Sequence, residues 1–143
     1  MNSGYAAYRE AQAQEVDQAK LILMMFSGSV NYLNKAIEYA ETDHKEMERY
    51  ISRTKNIILE LIASLNLEDS GEIGELLLKT YRGLFTKLNL AYVEEDIVKV
   101  TDVRDSLIML EDSWKKVFQS PEYDHFKNNR EQFVKNQQKL RKA

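Results

Sequence analysis

Apolar residues recur along this chain at helical spacing, and polar breaks cut the pattern into segments of similar length. The first segment opens after Asp17, a residue suited to capping a helix N-terminus, and runs over about 18–41. It stops at Thr42-Asp43, where Asp43 with Glu46 three residues on has the form of a capping box. A second helix from there to about Leu65 is expected, followed by the polar turn "NLEDSG". Ser70 can cap a third helix over about 71–92, and "VEED" makes an acidic connection whose carboxylates suit the positive N-terminal end of a fourth. That fourth helix reaches about Gln119. Ser120-Pro121-Glu122 then restarts a helix, with a cap, a proline at the first helical position and an acid in the first turn. One proline and five glycines fit a chain made of helices, because sheets and long loops use more of both. Helices joined by such short connections pack as an antiparallel up-down bundle. The expected fold class is therefore all-α: a four-helix bundle over 17–119, an N-terminal cap segment at 1–16 and an additional basic C-terminal helix at 120–143.

Each helix has a stripe that can fill the core. In the first it is Ile22, Met25, Phe26, Leu33, Ala36, Ile37 and Ala40, interrupted only at Ser29. Ile51, Ile58, Leu61 and Leu65 supply the second, and Ile73, Leu77, Leu84, Leu88 and Ala91 the third. Val100, Val103, Leu107, Leu110, Trp114 and Val117 supply the fourth. A core-facing helix needs only about three or four apolar positions in seven, and "LILMMF" at 21–26 exceeds that. Leu21, Met24, Gly28, Tyr32 and Tyr39 form a second stripe on the first helix. Tyr50, Ile57 and Ile62 add to the second helix, and Leu76, Leu78, Tyr81 and Phe85 to the third. Such a surplus has to be covered. One cover is the chain's own N-terminal segment and basic helix, whose Phe126, Phe133 and Leu140 recur every seven residues as a narrow seam. The other is a partner's helix lying in the surplus groove. Met24, Met25 and Met47 suit adaptable recognition, and they are equally ordinary core filler.

Composition narrows the classes. At 143 residues there is room for one domain, and 30% charged residues with a mean hydropathy of −0.52 describe a water-soluble chain. Cysteine is absent, which removes disulfides, thiol catalysis and thiolate metal sites and fits a reducing cytoplasm. The start "MNSGYAAYREAQAQEVDQ" has no basic stretch followed by an apolar one, and the run at 21–26 is far below the roughly 20 residues a bilayer requires. A cytoplasmic protein without membrane insertion is expected. The net charge of −3 argues against nucleic acid as the main partner. Residues 121–143 are basic, but their cations are scattered around the helix, as on a solvated face.

A di-iron carboxylate bundle enzyme would need two Glu-x-x-His pairs and a glutamate from each of two other helices. Glu41 with His44 and Glu122 with His125 have that spacing. The first pair straddles the break at Thr42-Asp43 and the second sits in a first helical turn, so neither points into a bundle. There is no glycine-rich phosphate loop and no Ser/His/Asp arrangement. No metal, no cofactor and no enzymatic activity are expected; both histidines read as solvated helix-end residues and Trp114 as core.

The ordered set "AYREAQ", "KLILMMFSGSVNYLNKAIEYAE", "ISRTKNIILELIASLNLEDSGEIGELLLKTYRGLFTKLNLAYVEED" and "LIMLEDSWKKVF" resembles the FliS-type flagellar secretion chaperones over roughly residues 5–118. The landmarks are Tyr8 with Gln12, Lys20 to Met24, Gly28, Leu61 to Leu65, Gly71-Glu72-Ile73 and Trp114. Val16-Asp17 stands where the family usually has Ser/Thr-Pro, and Met25-Phe26-Ser27-Gly28 where it usually has Leu-Tyr-Asp-Gly, which removes a phenol and a carboxylate. The resemblance implies binding of the disordered C-terminal segment of flagellin, prevention of its premature polymerisation and delivery to a flagellar export gate component. A co-chaperone or regulator is a further candidate partner, and an adaptor for another protein is the alternative reading. By the same resemblance Tyr5 and Tyr8 would plug the groove of the free protein. Client contacts are expected on the surplus positions Leu21, Met24, Ile57, Ile62, Leu78 and Phe85.

Overall fold

The computed structural model describes residues 18–125 together with 128, 135, 136, 139 and 140, with the backbone alone at 67–69. Tyr5, Tyr8, Phe126 and Phe133 lie outside the described residues. Four long helices account for nearly all of what is described: α1 (Gln18–Tyr39), α2 (His44–Ala63), α3 (Leu67–Glu94) and α4 (Ile97–Phe118). They form the four-helix bundle the hydrophobic pattern predicts. α1 packs on α2 and α2 on α3. α4 is tied to α3 by Lys87 to Asp102 (3.1 Å) and to α1 by Arg104 donating to Asn34 (3.1 Å). α1 and α2 run in opposite directions: Tyr39 stacks on Tyr50, while Gly28 lies opposite Ile57.

The helix ends follow local chemistry. At Asp43 the side-chain Oδ1 accepts the Glu46 N–H (3.2 Å), as an N-cap should. The Asp43 N–H goes to the Tyr39 carbonyl (2.9 Å) and the Glu46 carboxylate to Arg49 (3.1 Å), so only half of the capping box forms. α3 begins earlier than the expected start at 71. Residues 67–70 form one helical turn behind Asn66, and the helix then kinks at Gly71 (φ 55°, ψ −134°), a conformation that L side chains rarely adopt. Ser70 does not cap from this place; its hydroxyl donates back to the Asn66 carbonyl.

Between α3 and α4, Glu95 takes the left-handed conformation (φ 53°) and the Asp96 N–H reaches the Ala91 carbonyl (3.0 Å), closing α3. Asp96 then accepts the Val98 N–H (3.0 Å) and so opens α4. Lys99 bridges Asp96 and Glu94, at 2.9 Å from each. Hydrogen bonds to these two carboxylates push its ammonium up to about 12, and the bond from Lys99 holds Asp96 below the usual carboxylate range.

The core runs through Met25, Phe26, Leu33 and Ala36 of α1 and Met47, Ile51, Ile58 and Leu61 of α2. Tyr81, Leu84, Leu88 and Ala91 of α3 and Val100, Val103 and Leu107 of α4 complete it. Burying each of the larger side chains contributes about 1.5–3 kcal/mol. Ser29 and Thr54 are buried within this core because their hydroxyls donate to the carbonyls of Met25 (2.8 Å) and Tyr50 (2.9 Å) one turn back.

Four assignments change. Tyr81, expected on the surplus, is fully buried with its ring 6.4 Å from that of Phe26. Leu21, expected beside it on the surplus, is buried too. Ile73 and Val117, expected in the core, are exposed; the first follows the Gly71 kink by two residues and the second lies in the last turn of α4.

Of the described residues, those up to Glu111 belong to one compact unit and those from Asp112 onward to a second, the division falling inside α4. Within the second unit, half-buried Trp114 stacks on Phe118 (5.3 Å) and Phe118 meets Tyr123 edge-on (5.0 Å). Ser120 accepts the Tyr123 N–H (3.2 Å), capping the helical turn that Pro121 opens. Leu140, the described member of the seven-residue seam, is exposed.

Candidate functional site

The apolar surplus gathers along two edges, one on each side of α2. The buried line of α2 is Met47, Ile51, Thr54, Ile58 and Leu61. Ile57 and Ile62 are five positions apart, which on a helix is about 140° of rotation. They therefore flank that line on opposite sides.

On the α1–α2 edge, Gly28 faces Ile57: a Cβ at residue 28 would stand 3.7 Å from the Ile57 Cδ1. Met24, one turn before Gly28, is 59% exposed. Further along the same edge the Tyr39 and Tyr50 rings stack (6.1 Å, 3°) and Tyr32 tilts against Tyr50 (5.9 Å). The Arg53 guanidinium lies 5.7 Å from the Tyr32 ring centre and 5.3 Å from that of Tyr50. Contacts of this kind hold a cation over the electron-rich faces of the rings.

On the α2–α3 edge, the Lys55 ammonium lies 5.4 Å from the Phe85 ring centre. One repeat of seven away, Tyr92 hydrogen-bonds Glu48, and that bond with the glutamate charge raises the phenol above its ordinary value. Continuing the same antiparallel step of seven brings Ile62 of α2 level with Leu78 of α3. All three of Ile62, Leu78 and Phe85 are half-buried.

The six residues singled out from sequence thus fall into two sets. Ile62, Leu78 and Phe85 share the α2–α3 edge. Met24 and Ile57 share the α1–α2 edge, and Leu21 lies beneath it at 6% exposure. Arg53 was not legible as part of a surface, because a search for surplus apolar residues passes over a cation. Its spacing of three from Tyr50 and four from Ile57 was the available signal.

At one end of the bundle, His44, Met47, Glu48, Tyr92, Val93 and Glu95 line an open cleft of about 370 Å³. His44 Nδ1 approaches Glu95 Oε1 at 3.4 Å. Among the described residues no three His, Asp or Glu side chains are grouped so that they could hold a metal ion. Every buried side-chain nitrogen and oxygen among them has a hydrogen-bond partner. No described helix is long and apolar enough to cross a membrane.

Residues 1–121 match the family model described as flagellar protein FliS. The chain is similar to the flagellar secretion chaperone FliS of Campylobacter jejuni, with 28% identity over 117 residues, covering 81% of this chain and 91% of that protein. It is also similar to the flagellar secretion chaperone FliS of Bacillus subtilis, with 26% identity over 123 residues, covering 84% and 90% respectively. A helical bundle with two apolar edges and a match over most of its length place this chain in the FliS family of flagellar proteins.

Proposed function

We propose that this chain is a cytoplasmic export chaperone that binds the disordered C-terminal segment of flagellin along the edges of α2. Bound there, the client cannot polymerise prematurely and can be delivered to a component of the flagellar export gate. As a member of a family of secretion chaperones the chain is not an enzyme, and it acts in flagellar export through a protein partner. The observation that carries the finer reading is the pair of half-exposed apolar edges on either side of α2, at Met24 and Ile57 and at Ile62, Leu78 and Phe85.

A disordered segment loses chain entropy when it folds on a surface. Covering about 1,000 Å² of apolar area at about 25 cal/mol per Å² is worth about 25 kcal/mol, which offsets the ordering of about 17 residues at about 1.5 kcal/mol each. Two edges separated by the α2 backbone suit a client that lays one helix on each and crosses between them. Tyr5 and Tyr8 act in this reading as an intramolecular competitor for one edge.

The test is affinity capture of the tagged chain from its source cells. Flagellin should co-purify, and removing the C-terminal segment of flagellin should abolish the association. Capture of full-length and truncated flagellin alike would reject the reading.

A further inference from the structure

Arg53 is the feature of the α1–α2 edge that apolar burial leaves unexplained. It is exposed, yet its guanidinium is seated against the Tyr32 and Tyr50 rings. Stacking of this sort restrains the side chain and leaves the edges of the guanidinium, with its N–H donors, open to an incoming acceptor. The neighbouring charges are already paired: Lys35 with Glu38 (3.3 Å) and Arg49 with Glu46 (3.1 Å). Among the described residues Arg53 has no carboxylate within ion-pairing distance. Directly along the edge from Arg53 come Ile57, Gly28 and exposed Met24.

We propose that Arg53, held by Tyr32 and Tyr50, receives the terminal carboxylate of the bound client while the adjoining Ile57–Gly28–Met24 strip takes the apolar residues that precede it. The inference rests on the flagellin reading above. A segment at the end of a chain brings one carboxylate whatever its sequence, and capture of a terminal carboxylate is a recurring way of fixing the register of a peptide. A planar guanidinium can meet that group with two parallel N–H donors, which an ammonium cannot. Tyrosine and arginine together are also the residue types that dominate binding energy at interfaces.

The experiment crosses two peptides with three proteins. The probe is a synthetic peptide of the C-terminal segment of the source organism's flagellin, made as the free acid and as the C-terminal amide. Calorimetry measures both against the wild type, Arg53→Gln and Arg53→Lys, each full length. Because Arg53 is exposed, both variants should keep the wild-type circular dichroism. Amidation should weaken binding to the wild type about five-fold and leave binding to Arg53→Gln unchanged, with Arg53→Lys between the two. Equal affinity of the two peptides for the wild type, or an equal loss with Arg53→Gln, overturns the proposal while the flagellin reading stands. Failure of both peptides to bind the wild type overturns that reading, and this proposal with it.

Discussion

Met24 and Leu21 lie within one turn of α1 and should respond to the same substitution in opposite ways. Met24 is 59% exposed and Leu21 6%. Fully burying a methionine side chain is worth about 1.5–3 kcal/mol, so the three-fifths still open in the free protein leave about 1–2 kcal/mol to be gained when a client covers it. Met24→Ala should therefore weaken client binding by roughly five- to thirty-fold. Met24→Asp should weaken it further, because a carboxylate would have to give up its water in an apolar contact. The cost to the free fold should stay within about 1 kcal/mol, since the site is solvated and aspartate is only a moderately poor helix former. Leu21→Asp would place a carboxylate in the core and cost several kcal/mol. Calorimetry with the flagellin C-terminal segment and urea unfolding followed by circular dichroism separate the two effects. Wild-type affinity for Met24→Asp would refute the α1–α2 edge as a binding surface. Loss of helicity in Met24→Asp comparable with that in Leu21→Asp would show that the exposure argument itself is wrong.

Other consequences can be checked separately. Removal of residues 1–15 should raise client affinity in calorimetry, because an intramolecular competitor lowers apparent affinity; unchanged or weaker binding would reject Tyr5 and Tyr8 as a plug. Gly71→Ala should lower stability in urea by about 1–3 kcal/mol, because its φ of 55° and ψ of −134° strain any residue with a Cβ. A gain in stability would mean that α3 straightens through this point at no cost. Lys99→Met should lower the thermal midpoint modestly at neutral pH by releasing Glu94 and Asp96. The Lys99 ammonium is raised from 10.5 to about 12 in the fold, so its contribution is complete below pH 10.5 and fades as pH rises through about 12. The Asp96 carboxyl is lowered from 3.8, so its part is present above pH 3.8 and is lost as pH falls through the folded value. The difference between wild type and variant should therefore narrow at both extremes of pH, and a constant difference would argue against the bridge.

Much of this protein follows from its one-dimensional pattern. Helix number, the caps at Asp43 and Ser120, the acidic junction before α4 and the existence of an apolar surplus are all set by short-range chemistry. Capping, propensity and hydrophobic period act within a few residues, so they can be read without knowing what lies across the core. Which apolar residue belongs to the surplus is another matter. Leu21 and Tyr81 looked available and are buried, whereas Ile73 and Val117 looked internal and are exposed. A helix apolar over more than half its circumference has no intrinsic rotation; neighbours on both sides choose it through close packing. The two edges depend on the same choice: the 140° between Ile57 and Ile62 is a property of α2 alone, but that Ile57 meets α1 and Ile62 lies toward α3 is decided by where those helices pack. The placement of Arg53 is likewise tertiary. Its spacing from Tyr50 is local, but Tyr32 comes from another helix, and without that ring there is no seat for the cation. Interactions between helices cannot be summed from positions within one, which is why the fold could be foreseen and the geometry of its apolar edges could not.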